Sequence, residues 1–184
     1  MIKRTIIKII KMTAWLFFDK KYLTGKYFDE SDEGWIWVFR GIWNQKLLRF
    51  NKHIPFPISP NIVISDYKRL ILGNDNLNNF QSFGIYFQNF SADIILGDSV
   101  YIAPNVGIIT ANHDFQNLDN HVDGKCVEIG SYSWIGMNSV ILPGVVLGSR
   151  TIVGAGSVVT KSFEDGNVII AGNPARIIKK LEIL

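Results

Sequence analysis

The chain has 184 residues and a net charge of +3, with 47% apolar and 19% charged residues. That length suits one compact domain with a real core, and the small net charge gives little footing for nucleic-acid binding. No run of ~18 uncharged apolar residues predicts a membrane-spanning helix, and the lone Cys126 excludes an internal disulfide and two-cysteine metal sites while pointing to a reducing compartment such as the cytoplasm.

Residues 1–26 hold Lys3, Arg4, Lys8, Lys11, Lys20, Lys21 and Lys26 against Asp19 alone. Read as a helix, they place Arg4, Lys8 and Lys11 on one face and Ile2, Ile6, Ile9 and Leu16 on another. Lys8 and Lys11 interrupt the apolar stretch and no A-x-A site follows, so a secretory signal is not indicated. Two uses stay open. The helix packs on the rest of the protein or a neighbouring subunit, or it rests on an anionic membrane at the inner face, where lipid-linked glycans are assembled.

Residues 15–57 are rich in aromatics: Trp15, Phe17, Phe18, Tyr22, Tyr27, Phe28, Trp35, Trp37, Phe39, Trp43 and Phe50. Sugars stack on such rings, but the alternation in GWIWVFRGIW fits a packed strand or helix equally well. HIPFPISP, with three prolines, reads as a connector. Residues 1–57 are therefore expected to form an N-terminal segment and 58–184 the main domain.

The main domain is set by a period of six. Ile129, Ile135, Ile141, Leu147, Val153 and Val159 recur at strict six-residue spacing, and Ser133, Ser139, Val145, Thr151 and Ser157 stand four places after the first five of them. A repeat that short buries its apolar face only by stacking, so the spacing predicts a parallel β-helix with one large and one small inward residue per hexad. Gly130, Gly136, Gly148 and Gly154 are expected at corners, where a side chain hinders the bend. Upstream, Leu96, Ile102 and Ile108 keep the period, with Val100 and Val106 in the second position. Leu96 and Ile129 are 33 residues apart, which six does not divide, so the register breaks. The break falls in the polar stretch HDFQNLDNHVDGK, read as a loop over 113–126 extruded from a coil.

The segments IAPNVGIITANHDF, IGSYSWIGMNSVILPGVVLGSRTIVGAGSVVTKSF and AGNPARIIKKL resemble the hexapeptide-repeat acyltransferases, particularly the galactoside, maltose and capsular-polysaccharide O-acetyltransferases. The likeness covers roughly residues 85–180. It implies a left hand for the helix, so the expected fold is an all-β left-handed parallel β-helix of hexapeptide repeats, preceded by the N-terminal helical and aromatic segment read above and ending in a short C-terminal helix in the tail, 172–184. It also implies a homotrimer with active sites between subunits, acetyl-CoA as cosubstrate, no metal and a saccharide acceptor.

Transfer to a hydroxyl needs a base that titrates near neutral pH, which imidazole does. His113 ends a hexad and opens the loop, and in the resembled enzymes a histidine at this place takes the acceptor proton. The absence of G-x-S-x-G agrees with direct attack, without an acyl-enzyme. The resemblance further implies that Asn89 lies near the acceptor hydroxyl and that the backbone after Gly136, at Met137, binds the oxyanion. It assigns Trp134 to the cleft and Ala155, Gly156, Thr160, Lys161 and Arg176 to acetyl-CoA, with Lys179 and Lys180 less firmly matched. Asp114 is a candidate partner for the second ring nitrogen of His113, although residues adjacent in a strand point oppositely, which favours a backbone carbonyl instead. The reading is an acetyl-CoA-dependent O-acetyltransferase acting on a saccharide in surface or capsular polysaccharide synthesis. Alternatives are an antibiotic or other small-molecule acetyltransferase of the same fold and a non-catalytic β-helical binding protein. A β-helical carbonic anhydrase is poorly served, because His53 lies in the connector and His121 in the loop.

Overall fold

In the computed structural model the chain is described over residues 2–182, with side chains from Thr5 onward. The sequence reading of Ile2 and Arg4 as parts of helix faces lies outside the described side chains. Two compact units emerge: residues up to Ile62 together with Phe80–Phe83, and Val63–Asn79 together with residues from Gly84 on.

The first unit is helical. It contains α1 (Ile2–Thr13), α2 (Lys26–Asp29) and α3 (Glu33–Gly41), which runs into a π-helical turn over Ile42–Leu47. The aromatic-rich GWIWVFRG is thus a helix, with Trp37, Val38 and Gly41 inward. On α1 and its continuation the buried residues are Ile7, Ile10, Ala14 and Phe18, whereas the row Ile6, Ile9 and Leu16 is exposed. The expected boundary at 57/58 falls inside this unit. Phe56 packs on Tyr22 and Phe80 with ring centroids 4.9 and 4.8 Å apart. Buried Gln45 donates to the Ile54 and Phe56 carbonyls and accepts from the Ile58 N–H, so the proline-rich stretch is held in a core instead of linking two domains.

The second unit is a parallel coil whose strands fall on three faces. The first face holds β1 (Val63–Ile64), β3 (Tyr86–Gln88), β6 (Gly107–Ile109), β9 (Val140–Ile141) and β12 (Val158–Val159). The second holds β2 (Leu70–Leu72), β4 (Ile94–Leu96), β7 (Val127–Ile129) and β10 (Val146–Leu147). The third holds β5 (Tyr101–Ile102), β8 (Trp134–Ile135), β11 (Ile152–Val153), β13 (Val168–Gly172) and β14 (Ala175–Lys180). Strict hexads give three strands in eighteen residues, so Val140 lies on Val158 and Trp134 on Ile152. Earlier turns are longer, as when Ile94 pairs with Val127 across the extruded loop.

Ile129, Ile135, Ile141, Leu147, Val153 and Val159 are all buried along the interior, each worth roughly 1.5–3 kcal/mol of burial. The small inward residues do more than save space. Ser139 Oγ donates to the Gly154 carbonyl of the next turn at 3.0 Å, and Ser133 Oγ accepts from the Thr151 N–H at 3.1 Å, so corner hydroxyls join adjacent turns.

The reason for the glycines differs from the sequence expectation. The left-handed corner position is occupied by Tyr132, Asn138, Gly144, Arg150 and Gly156, and not by Gly130, Gly136, Gly148 or Gly154. Those four are required by stacking. A Cβ on Gly136 would sit 2.6 Å from both the Ala155 nitrogen and the Val153 oxygen of the turn beyond. The tail also differs: in place of a short helix, β14 pairs antiparallel with β13. Its Ile177 and Ile178 are β-branched and alternate poorly as a helix face, and the hairpin covers a strand edge that would otherwise end the coil unpaired.

Candidate active site

Chain direction determines which residues share a corner. Asn89 follows β3, His113 follows β6 and Thr160 follows β12, so all three lie where the first face turns into the second. Gly136 and Met137 follow β8, and Ala155 and Gly156 follow β11, so these lie between the third face and the first. One chain therefore does not bring His113 together with the Gly136–Met137 and Ala155–Gly156 row.

The loop leaving β6 is an ordered excursion. Residues 112–122 fold back on themselves: the Val122 N–H donates to the Asn112 carbonyl, the Asp114 N–H donates to the Asn120 carbonyl, and His113 bridges His121 in antiparallel register. His113 is exposed, and its Nδ1 lies 2.7 Å from the Leu118 carbonyl oxygen. A carbonyl only accepts, so that contact holds a proton on Nδ1 and leaves the Nε2 lone pair open. The ring is also clamped. His121 stacks on it with centroids 4.3 Å apart and planes inclined at 34°, and Phe90 meets His121 edge-on at 5.0 Å. Sequence reasoning weighed His121 only as a metal ligand. The hairpin that folds it onto His113 is non-local, and its signal in the sequence was only the polar, turn-rich composition of the loop.

Asn89 and Asp114 are both engaged by backbone groups, and the backbone carbonyl favoured as the ring partner of His113 is that of Leu118. Asn89 is fully buried, with its side-chain oxygen accepting from the Asp66 N–H at 3.0 Å and its nitrogen donating to the Asp66 carbonyl at 2.7 Å. It ties the corner below the loop to the Asp66 backbone of the preceding turn. The Asp114 carboxylate accepts from the Gln116 N–H at 2.8 Å and shapes the turn, while the Leu118 carbonyl takes the ring-partner role.

At the other corner Trp134 stands outward on β8, half exposed, in register between Tyr101 and Ile152. Gly136 donates to the Val153 carbonyl, whereas the N–H of exposed Met137 has no acceptor among the described residues. The Gly156 N–H donates to the Met137 carbonyl at 2.8 Å, which ties this corner to the next turn and leaves Ala155 and Gly156 exposed. Thr160 and Lys161 are exposed at the His113 corner, two turns along, with Lys161 Nζ 5.7 Å from the Phe163 ring. Arg176, exposed on β14 beside Lys179 and Lys180, pairs through its backbone with Ala171. Cys126 is no rival nucleophile: burial, then the Glu128 and Asp93 carboxylates, raise its thiol pKa and disfavour the thiolate.

Residues 126–161 match the family of the bacterial transferase hexapeptide, six repeats. The chain is 36% identical over 105 residues to the galactoside O-acetyltransferase of Escherichia coli K12, covering 52% of this chain and 51% of that protein. It spans about half the length of the curated relatives it matches. It superimposes on galactoside acetyltransferase in complex with coenzyme A with a TM-score of 0.60 and 32% identity, over 68% of this chain and 61% of that one. A maltose O-acetyltransferase from Clostridium difficile 630 gives 0.57 and 36%, over 67% and 65%. A coil of opposite hand would not overlay to that extent. The second unit is therefore a left-handed β-helix that contains the matched hexapeptide repeats, and about two thirds of the chain is similar to solved O-acetyltransferases of sugars.

Proposed function

We propose that the protein is an acetyl-CoA-dependent O-acetyltransferase that modifies a hydroxyl of a saccharide in surface or capsular polysaccharide synthesis. The observation that carries this is the His113 ring, fixed through Nδ1 on the Leu118 carbonyl beside a hexapeptide β-helix similar to that of sugar acetyltransferases. Nε2 takes the proton of the acceptor hydroxyl as its oxygen attacks the thioester carbonyl. The negative oxygen of the tetrahedral intermediate is met by the N–H of Met137. Collapse breaks the carbon–sulfur bond, the imidazolium returns its proton to the leaving thiolate, and the products are the acetyl ester and coenzyme A.

His113 and the Met137 row lie at different corners of one chain, so the complete site is formed between copies in a homotrimer. In this reading one chain supplies His113, and its neighbour supplies Trp134, Gly136, Met137, Ala155 and Gly156. Thr160, Lys161 and Arg176 serve the pantetheine and phosphates, the two cations by charge. Asn89 holds the corner from which the catalytic loop leaves. The trimer works in the cytoplasm, where acetyl-CoA is made.

The test is thiol release from acetyl-CoA across a panel of mono- and oligosaccharides, with His113→Ala alongside. Turnover on a sugar should fall by roughly a hundredfold or more in the variant, with acetyl-CoA affinity kept. Undiminished turnover in a folded variant removes His113 from its role. No acetyl-CoA binding by calorimetry favours a non-catalytic β-helical binding protein.

A further inference from the structure

The first unit carries an apolar surface that its own core does not use. Along α1 and its continuation, Ile9, Met12 and Leu16 form a row away from the buried side, each more than half exposed. Phe39, Trp43 and Leu47, at four-residue spacing along α3 and the π-helical turn, form a second row that is also more than half exposed. Isolated exposed apolar residues are ordinary, but two ordered rows in one small unit call for a partner.

Charge identifies the partner. Residues 1–62 hold eleven Lys and Arg against five Asp and Glu, while the remainder holds eight against eleven, a split of +6 and −3. Several lysines lie along aromatic surface: Lys20 Nζ is 5.5 Å from the Trp15 ring and Lys21 Nζ 4.7 Å from the Tyr22 ring. That sets cationic groups over aromatic rings at the surface, a pairing of basic and aromatic side chains suited to a headgroup boundary. A second copy of the same unit would set +6 against +6, whereas an anionic bilayer complements it. No helix among the described residues is long and apolar enough to cross a membrane, so lying on the surface is the mode this unit offers.

We infer that the first unit docks on an anionic lipid bilayer, entering the headgroup region with the Ile9, Met12 and Leu16 row and the Phe39, Trp43 and Leu47 row. This is independent of the transferase reading, and either can fail alone.

The full chain is sedimented with vesicles of phosphatidylcholine containing roughly one-third phosphatidylserine. Expected is binding at least about tenfold stronger than to pure phosphatidylcholine, weakened by ~0.5 M salt. The triple variant Ile9→Ser, Met12→Ser, Leu16→Ser should lose about tenfold or more in partitioning with unchanged circular dichroism. If that variant misfolds, the surface variant Lys8→Glu, Lys20→Glu, Lys21→Glu takes its place, with the loss expected on anionic vesicles only. No binding by the unaltered chain, or equal binding to both vesicle types, overturns the inference. So does a triple variant that binds vesicles normally but self-associates less, since its row would then be a contact between copies.

Discussion

The Leu118 carbonyl fixes the tautomer of His113, and His121 limits the swing of its ring. An imidazole that must reach both an acceptor proton and a departing sulfur benefits from that restriction, because small misplacements of a catalytic group cost large factors in rate. With His113 as the proposed base, His121 would act as a positioning residue. His121→Ala should lower kcat by roughly tenfold with acetyl-CoA affinity unchanged, and His121→Phe, which keeps a ring to stack, should recover most of the loss. Equal losses in both variants, in kcat or in acetyl-CoA affinity, would assign His121 to loop folding alone.

Within the coil, each turn depends on the backbone of the next. Gly136→Ala drives a methyl into the Ala155 nitrogen and Val153 oxygen, neither of which is a movable side-chain end. The substitution should destabilise by about 1–3 kcal/mol in thermal unfolding. Tyr132 presents the opposite case, since it holds φ of 61° with a bulky exposed side chain. Tyr132→Gly should stabilise by up to about 1 kcal/mol, raising the melting temperature. An unchanged stability in Gly136→Ala would show that stacking does not require the glycine, and a destabilised Tyr132→Gly that the left-handed bend carries no strain at that position.

For the molecule as a whole, the separation of His113 from the Ala155–Gly156 row makes a catalytic site between copies testable by complementation. On the proposed reaction, His113→Ala removes the base and Ala155→Trp fills the exposed row, so each variant alone should be inactive. Subunits of the two, dissociated and reassembled together in equal amounts, should regain about a quarter of normal turnover, because one contact in four pairs an intact His113 with an intact Ala155 row. Turnover that stays at zero after verified mixing would place both halves of the site in one chain. The same complex should sediment at three times the 20.8 kDa chain mass.

Six-residue periodicity was enough to specify the β-helix and its inward residues, because a short repeat has no other way to bury an aliphatic at every sixth position. The register break between Leu96 and Ile129 likewise located the extruded loop and His113 at its root. Other features depended on contacts distant in sequence. His121 reaches His113 only through the fold of the loop, Asn89 is withdrawn from solvent by Asp66 of a different turn, and β14 is held by β13 where the local sequence gave no edge to pair with. The same holds for α1, whose row of Ile6, Ile9 and Leu16 was legible as apolar from helical spacing alone. That Ile7, Ile10, Ala14 and Phe18 form the buried side, leaving the first row in water, was decided by packing within the helical unit. Spacing records which residues share a face; which face meets the core is set by neighbours far along the chain.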